Sequence, residues 1–382
     1  MSFDFDRIIP REGTGALKWD GRDGVFGSDD VLPLWVADMD FAVPAAVSRA
    51  LAARAAHPVF GYNLFPETVY QSLIDWLHAR HHWPVERDWI LMAPGVVPSL
   101  HAAVLAFTAA GEGVIVQPPV YFPFFSAVTA TGRKLVENPL LFEDGRYRID
   151  FAHLEQCAAE ARMLILCSPH NPVGRVWSEV ELRELLRIAR KHDLVLLSDE
   201  IHHDLIYPGQ RHIPLATLTD DPADIVTAVA PSKTFNIPGL GLSALVASNP
   251  QHREKLRRAF ELLHVSGANP FSIVAFAAAY RHGAAWLDAL MAYLAETRDE
   301  VITMLRLEAP AIHPVVAEGT YLLWLDCRGL GMDDAALKRF FIEQARVGMS
   351  PGSLFGQGGA GFIRLNLGAP RSVIREALRR IV

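Results

Sequence analysis

A single lysine stands in the stretch AVAPSKTFNIPG, residues 228–239. Lys233 is the one charged side chain there, and it follows the apolar run DIVTAVA (224–230). A lysine amine held at the end of a strand can condense with an aldehyde to give a Schiff base. Other chemistry-bearing residues fall at similar places. Asp199 closes LVLLSD (194–199), and Asn171 follows MLILCS (163–168). Gly95, Val96 and Val97 follow WILMA (89–93) and lead into the helical run PSLHAAVLAF. In open parallel sheets such groups gather at the carboxyl ends of the strands. These four strand ends are therefore expected to converge on one crevice.

The set suits one cofactor. An aspartate at the base of the site keeps a pyridine nitrogen protonated. An asparagine amide donates to a phenolic oxygen. A glycine at a helix start leaves free N–H groups for a phosphate. Tyr121, in PPVYFPF (118–124), offers a ring for stacking. Together these describe a pocket for pyridoxal phosphate. Taken singly, each residue has a plainer use. Lys233 suits a surface position, Asp199 a helix N-cap, Asn171 before Pro172 a turn, and Tyr121 core packing.

The elements that must carry these residues alternate. The strand runs above, with GVIVQ (113–117) and LSALVAS (242–248), are short, continuous and apolar, as parallel strands buried on both faces are. Helical patterns lie between them. In SEVELRELLRIARKHD (178–193), Ser178 and Glu181 form a capping box and leucines recur on one face. Residues 45–56 and 67–81 also read as helices, and 253–307 as largely helical. The fold class is α/β, with a mostly parallel sheet in a large domain over 45–285. An N-terminal arm (1–44) and residues 286–382 are expected to form a smaller α+β domain.

The chain has 382 residues, 51% of them hydrophobic, and a net charge of −7. The acidic balance gives no electrostatic case for nucleic acid or an anionic membrane. The three cysteines form no CxxC pair, which fits a reducing compartment. No signal peptide or membrane-length apolar run is read, so a cytoplasmic location is expected.

Eight motifs in order carry a resemblance. They are PLWVADMDF (33–41), FGYN (60–63), PGVVPS (94–99), PPVYFPF (118–124), CSPHNPVGRVW (167–177), SDEIHHDL (198–205), PSKTFNIPGLG (231–241) and FIRLNLGAPR (362–371). The chain resembles the fold-type I pyridoxal-phosphate enzymes of the class I/II aminotransferase superfamily, in the MalY/PatB-type branch of cystathionine β-lyases and cysteine–sulfur lyases. The resemblance implies a seven-stranded sheet and a homodimer with active sites at the subunit interface. It implies that Lys233 is the Schiff-base lysine, Asp199 the partner of the pyridinium nitrogen, Asn171 the donor to the phenolate, and Tyr121 the stacking ring. Gly95, Val96, Val97 and Ser232 match phosphate contacts, and Tyr62 a tyrosine reaching the neighbouring subunit's phosphate. Arg364 matches the arginine that binds the α-carboxylate of an amino-acid substrate, for which a bidentate guanidinium is suited. Asn171 and Asp38 are grouped with that substrate side, although a local turn acid describes Asp38 as well.

Two positions depart from the superfamily pattern. His202 stands where many aminotransferases carry tyrosine, and is grouped with the cofactor contacts. Gly241 stands where many carry arginine. Both agree with the lyase branch. The expected reaction is α,β-elimination on cystathionine or another cysteine S-conjugate, giving thiol, pyruvate and ammonia. An aminotransferase on the same residues is the alternative, and a non-catalytic cofactor-binding regulator a further one. GQGGAG (356–361) has dinucleotide-loop spacing but precedes a strand rather than a helix. The histidines of HARHH (78–82) and His202–His203 lack HExxH spacing and a carboxylate partner set. They are expected to be solvated, with no metal bound.

Overall fold

The computed structural model describes residues 3–265 and 269–382. Seven strands form the main sheet: β1 (Ile90–Ala93), β2 (Gly113–Val116), β3 (Lys134–Glu137), β4 (Ala161–Cys167), β5 (Val195–Asp199), β6 (Ile225–Val229) and β7 (Ser243–Val246). Their order is β1-β7-β6-β5-β4-β2-β3. β6, β5, β4, β2 and β3 run parallel, whereas β7 is antiparallel to both its neighbours. The fold is α/β, as expected.

Side chains alternate across this sheet, so each apolar run serves two cores. Val114, Met163, Ile165 and Leu197 face a layer with Leu100 and Leu256. Ile115, Leu164, Leu166 and Leu196 face the opposite layer with Leu73, Trp177 and Leu185. The helices expected at 45–56 and 67–81 form at those residues, as α1 (Ala45–Ala56) and α2 (Glu67–His81). The helix after β1 is α3 (Val96–Phe107). The Ser178–Glu181 capping box opens α4 (Glu179–Lys191).

A second sheet holds β8 (His313–Val315), β9 (Leu322–Asp326), β10 (Ser350–Pro351) and β11 (Phe362–Asn366), in the order β8-β9-β11-β10. Its strands are antiparallel. Trp324 stacks on Phe362 at 5.3 Å between ring centroids. Residues 356–361 form a turn before β11, so GQGGAG opens no helix.

The N-terminal segment ties the two sheets together. Asn366 Nδ2 donates to Val36 O (2.6 Å) and Asp38 O (2.7 Å). Asn236, three residues past Lys233, donates to Met39 O and Phe41 O at 2.8 Å each. A charged clamp fixes the same segment. Lys18 is fully buried and reaches Asp40 at 2.7 Å, while Arg11 reaches Asp40 at 2.6 Å and Asp38 at 2.8 Å. Removing one member of a buried ion pair strands the other charge. Asp40→Asn should therefore destabilise the fold by about 3–5 kcal/mol, read from the urea midpoint; a loss below about 1 kcal/mol would mean the clamp is slack.

Candidate active site

The ends of β1, β4, β5 and β6 meet at an inner cavity of about 270 Å³. Gly95, Asn171, Asp199, Ser232 and Lys233 line it, with Val96, Val97, Tyr121 and His202. An outer cavity of about 430 Å³ shares Ala37, Tyr121 and Lys233 with the inner one and adds Asp38 and Arg364. Lys233 thus stands where the two meet.

Each side chain is placed by its element. Asp199 is the last residue of β5, buried among the parallel strands. Its Oδ1 accepts from the N–H of Ile201 (3.1 Å). Burial nevertheless pushes this carboxyl up to about 7. A carboxylate so placed gains from any cation brought against it, and a pyridinium N–H is one. Lys233 lies in the short helix that follows β6, and its Nζ donates to Ala37 O at 2.5 Å. Burial, aided by the charge of Arg364, pulls the amine down to about 8. A substantial neutral fraction therefore exists near neutral pH. His202 is held well below 6.5 by burial and by the charges of Lys233 and Arg364, so its imidazole is neutral.

Gly95 precedes α3 with φ of +152°, a conformation L side chains rarely adopt. No side chain caps α3, so its first N–H groups stay free for an anion. Gly241 also lines the inner cavity, so no side chain fills the place where the superfamily often has arginine.

Arg364 comes from β11 of the second sheet. It is 4% exposed, yet among the described residues no acid pairs with it. Its guanidinium donates to neutral oxygens: Asn171 Oδ1 (3.0 Å), Trp35 O (2.9 Å) and Ser350 Oγ (3.3 Å). Among the described residues its Nε has no partner. Burial without an anion lowers it to about 10. It remains a cation at neutral pH, open to a carboxylate.

Of the expected site residues, Tyr62 alone is not brought to a cavity. It is fully exposed in a loop where Phe60 and Leu64 are also exposed. Asp38 does reach the outer cavity, but Arg11 already takes both its oxygens (3.1 and 2.8 Å). Sequence reading passed over Ser350 and Tyr321, whose hydroxyl donates to Ala37 O at 2.8 Å. It also passed over the apolar wall of the outer cavity, which includes Phe26, Phe122, Phe341, Val347 and Met349. These residues lie far apart in the chain, and only the fold assembles them.

The expectation of solvated histidines holds for His78 and His82 but not for the others. His202 and His203 are buried, and His81 has a side chain only 7% exposed. Asp204 supplies the carboxylate that spacing alone did not reveal, 2.8 Å from His81.

A family model for aminotransferase class I and II matches residues 29–381. The chain belongs to this family. Within it, the chain is similar to the cystathionine beta-lyase PatB of Bacillus subtilis, 42% identical over 99% of this chain and 98% of that one. It is 32% identical to the protein MalY of Escherichia coli, over 100% of this chain and 98% of the other. Among solved structures it is similar to cystalysin from Treponema denticola, which contains a pyridoxal 5'-phosphate cofactor. The TM-score is 0.97 at 39% identity, covering 100% of this chain and 98% of that chain. The class I and II fold accounts for the strand order and for the convergence of strand ends on Lys233.

Proposed function

We propose that this chain is a pyridoxal-phosphate-dependent carbon–sulfur lyase, acting on cystathionine or another cysteine S-conjugate. One observation carries the reading. A depressed amine (Lys233), an anion awaiting a cation (Asp199) and a cation without an anion (Arg364) surround a single pair of joined cavities. The kinship to lyases supports the reaction type.

Pyridoxal phosphate, when bound, supplies an aldehyde for the amine and a ring that accepts electrons from Cα. The inner cavity fits it: Asp199 for the ring nitrogen, Asn171 for the phenolic oxygen, Tyr121 for the ring face, and Gly95, Val96, Val97 and Ser232 for the phosphate. His202, neutral, completes that wall. Arg364 binds the α-carboxylate of the substrate and so sets which Cα bond faces Lys233. Lys233, as a neutral amine, takes the Cα proton. The Cα–H and Cβ–S bonds break, a Cα–Cβ double bond forms, and the sulfur leaves as thiol. Water then converts the released enamine to pyruvate and ammonia. The apolar wall of the outer cavity suits the substituent on sulfur, with Lys338 the nearby cation for a distal carboxylate.

The exposed Phe60, Tyr62 and Leu64 support a homodimer in which Tyr62 reaches the neighbouring site. Pyruvate released from cystathionine with no added 2-oxo acid is the expected result. Amino transfer that requires a 2-oxo acid, without pyruvate from cystathionine, would instead make the chain an aminotransferase. A monomeric mass in sedimentation would remove the shared-site part alone.

The amine must be neutral to meet the aldehyde. Lys233 is about 8 in the fold, so it gains protons as pH falls below that value. Cofactor uptake by the cofactor-free chain should therefore slow about tenfold for each pH unit below about 8 and level off above it. Stopped-flow absorbance reads this; a plateau reached only near 10 would mean the amine is not depressed.

A further inference from the structure

We propose that His81, His203 and Asp204 form a zinc site, separate from the Lys233 cavities, that ties the end of α2 to the loop after β5. None of the three lines either Lys233 cavity. Their candidate ligand atoms all lie within 4.8 Å of one another. A tetrahedral zinc with bonds near 2.0–2.1 Å holds its donors about 3.3 Å apart, so small side-chain rotations close the set.

The cluster leaves one buried ring nitrogen unmet beside a buried carboxylate. Asp204 is buried, and its ionisable partners among the described residues are His81 and His203 alone. A buried carboxylate without a positive partner is strongly unfavourable. His81 Nε2 lies 2.8 Å from Asp204 Oδ1. Among the described residues His203 Nε2 is buried without a hydrogen-bond partner, although Asp204 Oδ2 is 3.1 Å away. The two atoms are close but off hydrogen-bonding geometry, as donors to a shared ion are. The two rings lie 4.5 Å apart, centroid to centroid, close enough for one ion to bridge them. A divalent cation satisfies both nitrogens and the carboxylate together.

The supporting groups fit as well. Trp76 Nε1 donates to Asp204 Oδ1 (3.1 Å) and Oδ2 (3.2 Å), and Thr234 Oγ1 donates to Oδ2 (2.9 Å). Such outer donors orient a ligating carboxylate. A cavity of about 630 Å³, lined by all three residues, provides entry and room for a water as fourth ligand. His212 is beside it, but its Nε2 is engaged by Glu200 at 2.8 Å. Two nitrogens and one carboxylate oxygen suit zinc better than magnesium or calcium. Thr234 follows Lys233 directly, so the ion would also brace the segment that carries the amine.

The test uses full-length protein loaded with pyridoxal phosphate, stripped with chelator and titrated with zinc in a calorimeter. One equivalent per chain is expected, with a thermal midpoint that rises with zinc. His81→Gln and His203→Gln should each weaken binding by at least ~100-fold and abolish the midpoint rise, while His78→Ala, an exposed control, should not. Cobalt in place of zinc should show the visible bands of a four-coordinate nitrogen–oxygen site. Should either glutamine variant fail to fold, the other and the cobalt spectrum decide. Undiminished zinc affinity in a folded variant, or less than one equivalent in the parent protein, would overturn the proposal.

Discussion

Replacing Lys233 by alanine should lower turnover of a cysteine S-conjugate by at least ~10²–10⁴-fold and abolish the visible absorption of bound pyridoxal phosphate. The reason is positional. Lys233 is the amine that both cavities share, and it is lowered to about 8 where other chemistry-bearing groups converge. General base catalysis depends on such a group being neutral and within reach. Its hydrogen bond to Ala37 O at 2.5 Å is a single contact to a carbonyl, so its loss should leave the fold intact. Circular dichroism and the thermal midpoint of the cofactor-free chain should therefore match the parent protein. Added methylamine should restore part of the rate. A variant that keeps both the absorption and turnover would show that another amine does the work.

Arg364→Ala should reduce kcat/KM for amino-acid substrates by about 30- to 5,000-fold, the range for truncating one side of a buried charge pair. Most of the loss should appear in KM, because the guanidinium holds the carboxylate before and after the Cα proton moves. Arg364→Lys should recover only part of it. A lysine is a point charge and cannot offer the bidentate face. The arginine is kept free of acids by its surroundings: Asn171, Ser350 and the Trp35 carbonyl hold it in place without cancelling its charge. A kcat/KM within threefold of the parent for Arg364→Ala would assign the carboxylate to another group. Cofactor affinity should fall far less than kcat/KM, since Arg364 lines only the outer cavity and meets the cofactor's side through its hydrogen bond to Asn171 Oδ1.

Much of this arrangement is legible in the sequence alone. Strands buried on both faces leave continuous apolar runs, and six of the seven were visible for that reason. β3, with the sequence KLVE at the sheet edge, was not, because one flank is open and its residues are only partly buried. The reversal of β7 was hidden too: side-chain periodicity carries no direction. Lys233, Asp199, Asn171 and Gly95 stood out because a parallel sheet brings its carboxyl ends together. Arg364 came from resemblance, since nothing about FIRLNLG by itself calls for a buried guanidinium. Contacts that depend on distant segments stayed dark. Lys18 with Asp40, Ser350 with Arg364, and His81 with Asp204 are each joined by folding rather than by spacing. His203 looked like a surface histidine in a run of polar residues, yet it is 1% exposed.

The most direct measurement is borohydride reduction of the protein with bound pyridoxal phosphate, followed by peptide mapping. One label per chain is expected, on the peptide that carries Lys233. A label on any other lysine, or none at all, would contradict the assignment of the site.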